Sequence, residues 1–257
     1  MTSWVEFTVD AHVARVHLNR PSALNAIDQT MEEALGDAWA AINSDGDIWV
    51  AILSSAGERA FCAGADMSSP PEPVGGLSLG GGLTGIGGTL VRLKKPLICA
   101  VQGYALGLGF ELAMCADIIL ATNEALFGLP ETRAGVIGHC GVVHRAARQL
   151  PHHIALGMIL ADERLDAADA ERFGLVNAVV APDQLEETTR TWVQRLLSCS
   201  PLAMQAAKQA IIEGLESSLE GAVRRRYSLI DSYSNSSDKT EAAASWAERR
   251  PPNWRGR

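Results

Sequence analysis

Apolar and polar positions alternate, or form short apolar runs, at several places in the first half of the chain. The segments VEFTV (5–9) and VARVHL (13–18) alternate, which predicts two paired strands joined by a turn. Further apolar runs of strand length are bounded by polar or glycine-rich residues, and they occupy 49–55, 96–103 and 117–122. The pattern therefore predicts a series of short, buried strands.

Helical patterns separate these runs. Residues 28–43 place Met31, Leu35, Trp39 and Ile42 on one face, and Thr30 with Glu33 predicts a capping box at the start. Strands about 30 to 45 residues apart with helices between them indicate the α/β class.

The second half of the chain is mainly helical. From about residue 139 helical patterns dominate, with one strand candidate at 175–180 and a run of strong helix formers at 201–215. We therefore predict a core formed by residues 1–195 and a helical region formed by 196–257.

One stretch, residues 69–88, fits neither pattern because it holds eight glycines, three prolines and a single charge, Glu72. So many glycines exclude a regular helix interior. A long loop in a compact domain is either a functional lid or disordered. The leucines and the near absence of charge favour a lid that forms an apolar wall, and a disordered loop is the alternative.

Charge and cysteine content narrow the class of protein. A net charge of -8 disfavours nucleic acid as a partner, and the one basic cluster, 224–226, is interpreted as a solvated helix face. Five scattered cysteines favour reduced thiols and a cytoplasmic location. No apolar run reaches the ~18 residues of a membrane span, and the start has no apolar signal region. We therefore expect no membrane association.

Several common catalytic motifs are missing from the sequence. There is no phosphate-binding P-loop, no GxSxG, no HExxH and no CxxC. The glycines at 103, 107 and 109 do not complete a dinucleotide-binding GxGxxG, because the third position is Leu112. His139, Cys140 and His144 match no common zinc spacing, so we predict no metal site.

Two carboxylates occur in apolar surroundings: Glu111 between LGLGF and LAMC, and Glu131 after Pro130. Burial raises the pKa of a carboxylate, and a raised pKa suits acid and base catalysis near neutral pH. A salt bridge or a helix cap is the alternative for each glutamate alone. The small residues of AGAD (63–66) and of GYALGLG (103–109) can in addition present backbone amides to an oxyanion.

Four motifs in this order, NRPSALNAI (19–27), AFCAGADM (60–67), QGYALGLGFELAMCADI (102–118) and FGLPETRAGVIG (127–138), closely resemble the enoyl-CoA hydratase/isomerase, or crotonase, superfamily. The C-terminal WAERRPPNWRGR (246–257) is also similar to that family's C-terminus. The resemblance implies a spiral of ββα units, with a C-terminal helical region that builds trimers, often paired into hexamers.

The resemblance also implies roles for individual residues. The amides of Ala65 and Leu108 would form an oxyanion hole for the thioester oxygen of an acyl-CoA. Glu111 would help to activate water for attack at C3, and Glu131 would exchange the proton at C2. The positions that match the coenzyme A site are Ser22, Ala23, Leu24, Arg59, Ala63, Asp66, Trp246 and Arg249.

Two positions depart from the pattern of the superfamily. Leu108 stands where hydratases usually have glycine, and its side chain is expected to shift the local backbone angles. GHCGV (138–142) stands where they have PGAGG, so His139 replaces a glycine near the reacting water. We interpret His139 first as a specificity residue, second as an inert residue of the rim, and last as a participant in catalysis.

The implied activity is the reversible hydration of a 2-trans-enoyl-CoA to a 3-hydroxyacyl-CoA, without a cofactor because coenzyme A is part of the substrate. The first alternative is a dehydratase for a polar acyl-CoA, similar to carnitinyl-CoA dehydratase. Thioester hydrolysis, carbon–carbon cleavage and acyl-CoA binding without turnover rank lower, because binding alone has no use for two costly buried carboxylates.

Overall fold

The fold is known from a computed structural model that describes residues 4–72, 74–76, 78–85 and 88–257. The strands of this part are β1 (Val5–Asp10), β2 (Val13–Leu18), β3 (Val50–Ser55), β4 (Ala60–Cys62), β5 (Leu97–Val101), β6 (Tyr104–Leu106), β7 (Ile118–Thr122), β8 (Leu126–Gly128), β9 (Leu165–Asp166) and β10 (Ala178–Val180). Its α-helices are α1 (Gln29–Ser44), α2 (Leu108–Met114), α3 (Val142–Gln149), α4 (His152–Ala161), α5 (Ala167–Arg172), α6 (Leu185–Leu197), α7 (Pro201–Gly214), α8 (Leu219–Arg224), α9 (Ser228–Ser234) and α10 (Ser237–Glu248).

The larger sheet contains six strands in the order β1-β2-β3-β5-β7-β10. β1 and β2 form the predicted antiparallel pair, with Val5 opposite Leu18, and the remaining neighbours are parallel. The three apolar runs of the sequence are β3, β5 and β7, so their prediction as buried strands is confirmed. Of the candidate strand at 175–180, the last three residues form β10.

A smaller sheet, in the order β4-β6-β8-β9, lies at the ends of these strands. β3, β5 and β7 of the larger sheet are each followed along the chain by a strand of the smaller one, β4, β6 and β8. A helix follows directly after β6, and α3 follows β8 after a loop. The predicted α/β class and the repeating ββα order are confirmed, whereas the trimerising role of the C-terminal helices stays a prediction.

The two faces of the larger sheet are covered by different helices. Side chains such as Val16, Leu53 and Val101 pack on one face in the main core, which also contains the apolar side of α1 and α2. On the other face Ile52 and Ile98 belong to a second cluster with α6. The catalytic motifs of the sequence lie on the side of the main core.

The first helix confirms its predicted buried face and corrects its predicted start. Met31, Leu35, Trp39 and Ile42 are all buried. The capping box of Thr30 and Glu33 is wrong: the helix begins at Gln29, and the carboxylate of Asp28 accepts the Met31 amide at 3.0 Å. Asp28 has extended backbone angles, which is the conformation of an N-cap residue, whereas Thr30 is already inside the first turn.

The C-terminal half is helical as predicted. The run at 201–215 forms α7, with Pro201 at its first position and the Ser200 hydroxyl accepting the Ala203 amide at 3.3 Å. The boundary predicted at residue 195 falls inside α6, which packs against the larger sheet; the division into 1–195 and 196–257 stays a prediction. Among the described residues no helix is both long and apolar enough to cross a bilayer.

The glycine-rich stretch is packed over residues 78–85, which we call the glycine-rich segment, whereas Gly75 and Gly76 are exposed. Ser78 and Thr84 are buried, and the indole of Trp39 donates to the Gly80 carbonyl at 3.0 Å. Pro73, Leu77, Ile86 and Gly87 of the predicted loop lie outside the described residues. For 78–85 this packing favours an apolar wall over a disordered loop, and the lid stays a prediction.

Candidate active site

The site is built where β6 ends and α2 begins. Gly107 connects them with φ 51° and ψ −124°, and its amide donates to the Gly128 carbonyl of β8 at 3.0 Å. A Cβ atom at Gly107 would lie 2.9 Å from Oε1 of Glu131. Residue 107 therefore has to be glycine for two reasons, the left-handed φ and the close approach of the Glu131 carboxylate.

The loop after β4 reaches the same point. Gly64 has φ 112°, and a Cβ there would lie 3.8 Å from the Leu108 amide nitrogen. Around Ala65, the Ile27 amide donates to the Gly64 carbonyl at 2.9 Å and the Asp66 amide donates to the Ile27 carbonyl at 2.8 Å. These bonds hold the loop beside the start of α2.

Two backbone amides at this junction are free in the part of the chain that the structure describes. The Ala65 amide has no acceptor there, and the Leu108 amide is the first of α2, where helical amides have no partner within the helix. The loop that carries Ala65 and the start of α2 lie side by side at Gly64. The structure thus brings together the two amides that the sequence assigned to an oxyanion hole.

Leu108, the residue that departs from the superfamily pattern, has a helical backbone. It lies inside α2, and the positive φ of this turn is carried by Gly107 instead. The Leu108 side chain is buried in the main core. The side chain therefore points into apolar packing while its amide stays at the helix start, and the shift of backbone angles relative to other hydratases stays a prediction.

Glu111, in the first turn of α2, is completely buried. Its Oε1 accepts a hydrogen bond from the Arg145 guanidinium, and its Oε2 has no partner among the described atoms. Burial raises the pKa of Glu111 to about 7, because the loss of solvation outweighs the attraction of Arg145 and the nearby Glu131 adds repulsion. A carboxylate of this kind exchanges protons near neutral pH.

Glu131, the second carboxylate, follows β8 and is partly buried. The pKa of Glu131 is raised, mainly by burial and further by the charge of Asp162. A hydrogen bond to its own backbone and the charge of Arg164 oppose this shift. Oε2 of Glu131 also has no partner among the described atoms. The site therefore contains two carboxylates that resist ionisation, each with one oxygen uncommitted.

Arg145 was missed by the sequence reasoning. It lies on α3, and besides Glu111 its guanidinium bonds the carbonyl oxygens of Leu83 at 3.2 Å and Cys140 at 3.3 Å. A hydrophobic period on VVHRAARQ could have marked Val142 and Ala146 as the inner face of the helix. It could not show that the arginine between them pairs with a glutamate 34 residues away.

Cys140 lies close to both glutamates. Burial raises the pKa of its thiol, and the charges of Glu111 and Glu131 raise it further. The thiol is therefore protonated near neutral pH and is a poor nucleophile. Its effect on the site is one of shape and polarity.

Most of the residues assigned to coenzyme A lie next to the free amides. Ser22 and Ala23 belong to a short 3₁₀ turn, Pro21–Ala23, and the Leu24 carbonyl accepts the Ala63 amide at 3.0 Å. The segment is closed by the ion pair of Asp66 with Arg20 at 2.7 Å. The hydroxyl of Ser68 and the Arg20 guanidinium lower the pKa of Asp66 to about 2.

Arg59 is exposed and directly precedes β4, and its carbonyl accepts the Tyr104 amide at 3.1 Å. This bond joins Arg59 to the first residue of β6, the strand that ends just before the free amide of Leu108. Arg59 thus lies at one end of β4 and Ala63 and Asp66 follow the other end, while the Leu24 carbonyl bonds the Ala63 amide.

Trp246 and Arg249 are not brought to this group within one chain. In the described structure no hydrogen bond or ion pair links either of them to residues 20–27 or 59–66, and Trp246 is 86% exposed. The reason lies in the C-terminal anchoring: the buried Asp238 accepts the Ser200 hydroxyl, and the following tail packs Trp254 against the face of the larger sheet that carries α6.

His139 lies on the exposed rim. Among the described residues His139 has no hydrogen bond or ion pair. Its neighbour Gly138 lies beside Glu131: a Cβ atom added at Gly138 would lie 3.6 Å from the Cγ of Glu131. This position is compatible with a role in specificity or with an inert rim, and it gives direct proton transfer no geometric support. Within the same part of the chain no group of His, Cys, Asp and Glu could hold a metal ion.

This arrangement, two free amides facing two carboxylates in a fold of ββα units, defines a class of protein. The family model described as enoyl-CoA hydratase/isomerase matches residues 8–257. The chain belongs to this family, which confirms the resemblance noted from the motifs.

Two individual relatives are similar to this chain along nearly its whole length. The chain is 35% identical over 255 residues to (E)-benzylidenesuccinyl-CoA hydratase of Thauera aromatica, covering 98% of this chain and 99% of that one. It is also 35% identical over 266 residues to carnitinyl-CoA dehydratase of Proteus mirabilis, covering 100% of both chains.

Solved structures of proteins named as enoyl-CoA hydratases have a similar fold. A candidate short chain enoyl-CoA hydratase from Novosphingobium aromaticivorans matches with a TM-score of 0.94 and 52% identity, covering 99% of this chain and 98% of that one. Enoyl-CoA hydratase from Mycobacterium tuberculosis matches with a TM-score of 0.91 and 31% identity over 100% of both chains. The prediction of an enzyme of this class is confirmed at the level of the family, and the roles of single residues stay predictions.

Proposed function

We propose that this chain catalyses the reversible addition of water across the double bond of a 2-trans-enoyl-CoA, which yields a 3-hydroxyacyl-CoA. The observation that carries the proposal is the pair of glutamates, Glu111 and Glu131, each with one unpartnered oxygen, beside the free amides of Ala65 and Leu108. Acid, base and oxyanion donors are the three elements that this chemistry needs.

The reaction follows from the positions of these groups. Ionised Glu111 takes a proton from water as the water oxygen forms a bond to C3. The electron pair of the C2–C3 double bond then moves onto the thioester, and the amides of Ala65 and Leu108 hold the enolate oxygen. As the enolate collapses, protonated Glu131 gives its proton to C2. Dehydration runs through the same steps in reverse.

The raised pKa values of the glutamates support opposite roles. Two like charges close together disfavour double ionisation, and the charge of Glu131 is one of the causes that raise the pKa of Glu111. Burial adds to this effect at both positions. The site can therefore contain one base and one acid at the same pH.

A second candidate is the dehydration, or hydration, of an acyl-CoA whose acyl group carries a polar or charged substituent. The relatives named carnitinyl-CoA dehydratase and (E)-benzylidenesuccinyl-CoA hydratase favour it, since both match along nearly the full length of the chain. The bonds formed and broken are the same, so the two candidates differ only in the acyl group. Thioester hydrolysis, carbon–carbon cleavage and binding without turnover have no such support.

We further propose that a second copy of the chain completes the coenzyme A site in a homotrimer or a hexamer. Trp246 is exposed and makes no hydrogen bond to the rest of the site among the described residues, and apolar side chains on neighbouring C-terminal helices are exposed as well, among them Ile211, Leu215, Leu219 and Val223. Solvent-exposed apolar side chains grouped in this way are typical of protein interfaces. Arg249 would contribute a cation for a coenzyme A phosphate.

The remaining parts of the proposal follow from the chemistry. No metal or redox cofactor takes part in the steps above, and coenzyme A enters as part of the substrate. Five free cysteines support a reducing, cytoplasmic environment.

Turnover of a panel of enoyl-CoA esters tests the proposal, with the loss of the enoyl-thioester absorbance as the signal. The panel contains short, medium, branched and charged acyl groups, and the ranking separates the two candidates. Glu131→Gln is expected to abolish turnover and to keep CoA-ester binding, whereas Glu124→Gln, an exposed glutamate of the same region, keeps both. Activity in Glu131→Gln would remove Glu131 from the mechanism, and inactivity of the wild type on every ester would refute hydration.

A further inference from the structure

Arg145 is the point at which three separate segments meet. Its guanidinium donates to Oε1 of Glu111 on α2, to the Leu83 carbonyl at 3.2 Å and to the Cys140 carbonyl at 3.3 Å. The side chain is only 21% exposed. A planar guanidinium can hold several acceptors at fixed angles, which the compact ammonium of a lysine cannot do.

The Leu83 carbonyl is placed by contacts outside the site. The buried carboxylate of Glu32 on α1 accepts the amides of Gly80 and Gly81, the latter at 2.7 Å. A Cβ atom at Gly81 would lie within 3 Å of the α1 backbone, so this approach requires glycine. The Cys115 thiol of α2 donates to the same Leu83 carbonyl at 3.3 Å. The glycine-rich segment is thus seated between α1 and the helices of the site.

We propose that Arg145 is a positioning residue that couples the catalytic base to the glycine-rich segment. With Leu83 seated, Arg145 holds Oε1 of Glu111 and leaves Oε2 for the reacting water. When the segment leaves Glu32, Arg145 loses one of its acceptors and Glu111 loses both its fixed orientation and its shield from water. The proposal rests on the hydration function proposed above, because it assigns Glu111 to the base.

Two opposite shifts of the Glu111 pKa distinguish the coupling from an ion pair alone. The charge of Arg145 lowers the pKa of Glu111, whereas burial raises it. Removing Arg145 should therefore raise the pKa of Glu111, and releasing the segment should lower it because water reaches the carboxylate. Two substitutions on different elements shift one titration in opposite directions.

The test uses Arg145→Met, Arg145→Lys and Glu32→Gln, with Arg148→Met as the matched control. Arg148 lies on the same helix, and the only hydrogen bond of its guanidinium in the described structure is to the His144 carbonyl. Infrared difference titration of wild type against Glu111→Gln reports the ionisation of Glu111 and needs no turnover. Steady-state kinetics separate kcat from KM, and hydrogen exchange reports the seating of residues 80–83.

Arg145→Met is expected to raise the pKa of Glu111 by about one unit or more and to lower kcat at least about tenfold, with KM within about threefold. Arg145→Lys keeps the positive charge, so the pKa of Glu111 should stay near its wild-type value. The kcat of this variant should nevertheless stay low. Glu32→Gln should speed amide exchange at 80–83 and lower the pKa of Glu111. Arg148→Met should match the wild type in every measurement.

Unchanged titration of Glu111 in Arg145→Met, or faster exchange at 80–83 in Glu32→Gln without a shift of that titration, would overturn the coupling. If Arg145→Met does not fold by circular dichroism, Arg145→Lys decides, because wild-type kcat in that variant contradicts the proposal. Inactivity of the wild type on all enoyl-CoA esters is a separate result: it removes the proposed function and leaves the infrared and exchange results to judge the coupling.

Discussion

Gly107 offers the sharpest single test of the site, because both its backbone and its surroundings require glycine. It has φ 51° and ψ −124°, angles that a residue with a side chain adopts only with strain. Gly107→Ala adds a methyl group 2.9 Å from Oε1 of Glu131. Either the carboxylate or the start of α2, with the Leu108 amide, has to move.

The size of the effect follows from these two contributions. Backbone strain at such a residue costs about 1–3 kcal/mol of stability. Loss of one oxyanion donor lowers kcat by about 10²–10³, and misplacement of an acid or base costs a similar amount. We expect Gly107→Ala to lose about 2 kcal/mol of unfolding free energy and at least about a hundredfold in kcat.

Gly135→Ala is the matched control. Gly135 has φ +77°, and a Cβ there would have no neighbour within 4 Å, so the substitution adds left-handed strain without a clash. Denaturant unfolding and steady-state kinetics on the best enoyl-CoA ester compare the two variants. Gly135→Ala should lose stability and keep kcat within about twofold. If Gly107→Ala also keeps kcat near the wild-type value, the geometric argument for this site is refuted.

Three further predictions concern the charge of Glu111, the start of α1 and the C-terminal helix. The pKa of Glu111 is raised in the folded state, so its ionisation destabilises the fold as pH rises from 4.5 to about 7. Glu111→Gln should therefore have up to about 3 kcal/mol more unfolding free energy than the wild type at pH 8, and about the same at pH 4. Urea unfolding at the two pH values measures this difference. An equal gain at both pH values would contradict the raised pKa. Asp28→Ala should cost about 1 kcal/mol of unfolding free energy, whereas Asp28→Asn and Thr30→Ala stay within about 0.5 kcal/mol; a larger loss in Thr30→Ala would restore the capping box. Trp246→Ala should leave the thermal unfolding of the monomeric chain unchanged. It should raise KM for the CoA ester or weaken assembly, as measured by sedimentation. Wild-type values of both KM and assembly would separate Trp246 from the site.

Local features of the sequence were sufficient for the elements and for part of the site. Alternation and short apolar runs located β1, β2, β3, β5 and β7, because burial of alternate or consecutive side chains is a property of each strand by itself. A glutamate following glycines in an apolar segment likewise pointed to Glu111. The motifs then placed Ala65 and Leu108 at the same site.

Where two signals compete within a few residues, the sequence was less informative. Asp28 and Thr30 are both good N-cap residues, and only the backbone angles at Asp28 decide between them. Leu108 departs from glycine, but whether its side chain strains the turn depends on where the core lies. The structure places that side chain in the core and the positive φ at Gly107.

By itself, then, the sequence determined the class of fold, the strands of the larger sheet and the two carboxylates as candidates, since each of these depends on periodicity or on motifs. Only the tertiary structure decided that Arg145 bonds Glu111, that Glu32 accepts amides of the glycine-rich segment, and that Trp246 is exposed. These facts concern residues tens of positions apart or more. Their contacts exist only after the sheets and helices have packed, and no local pattern encodes that packing.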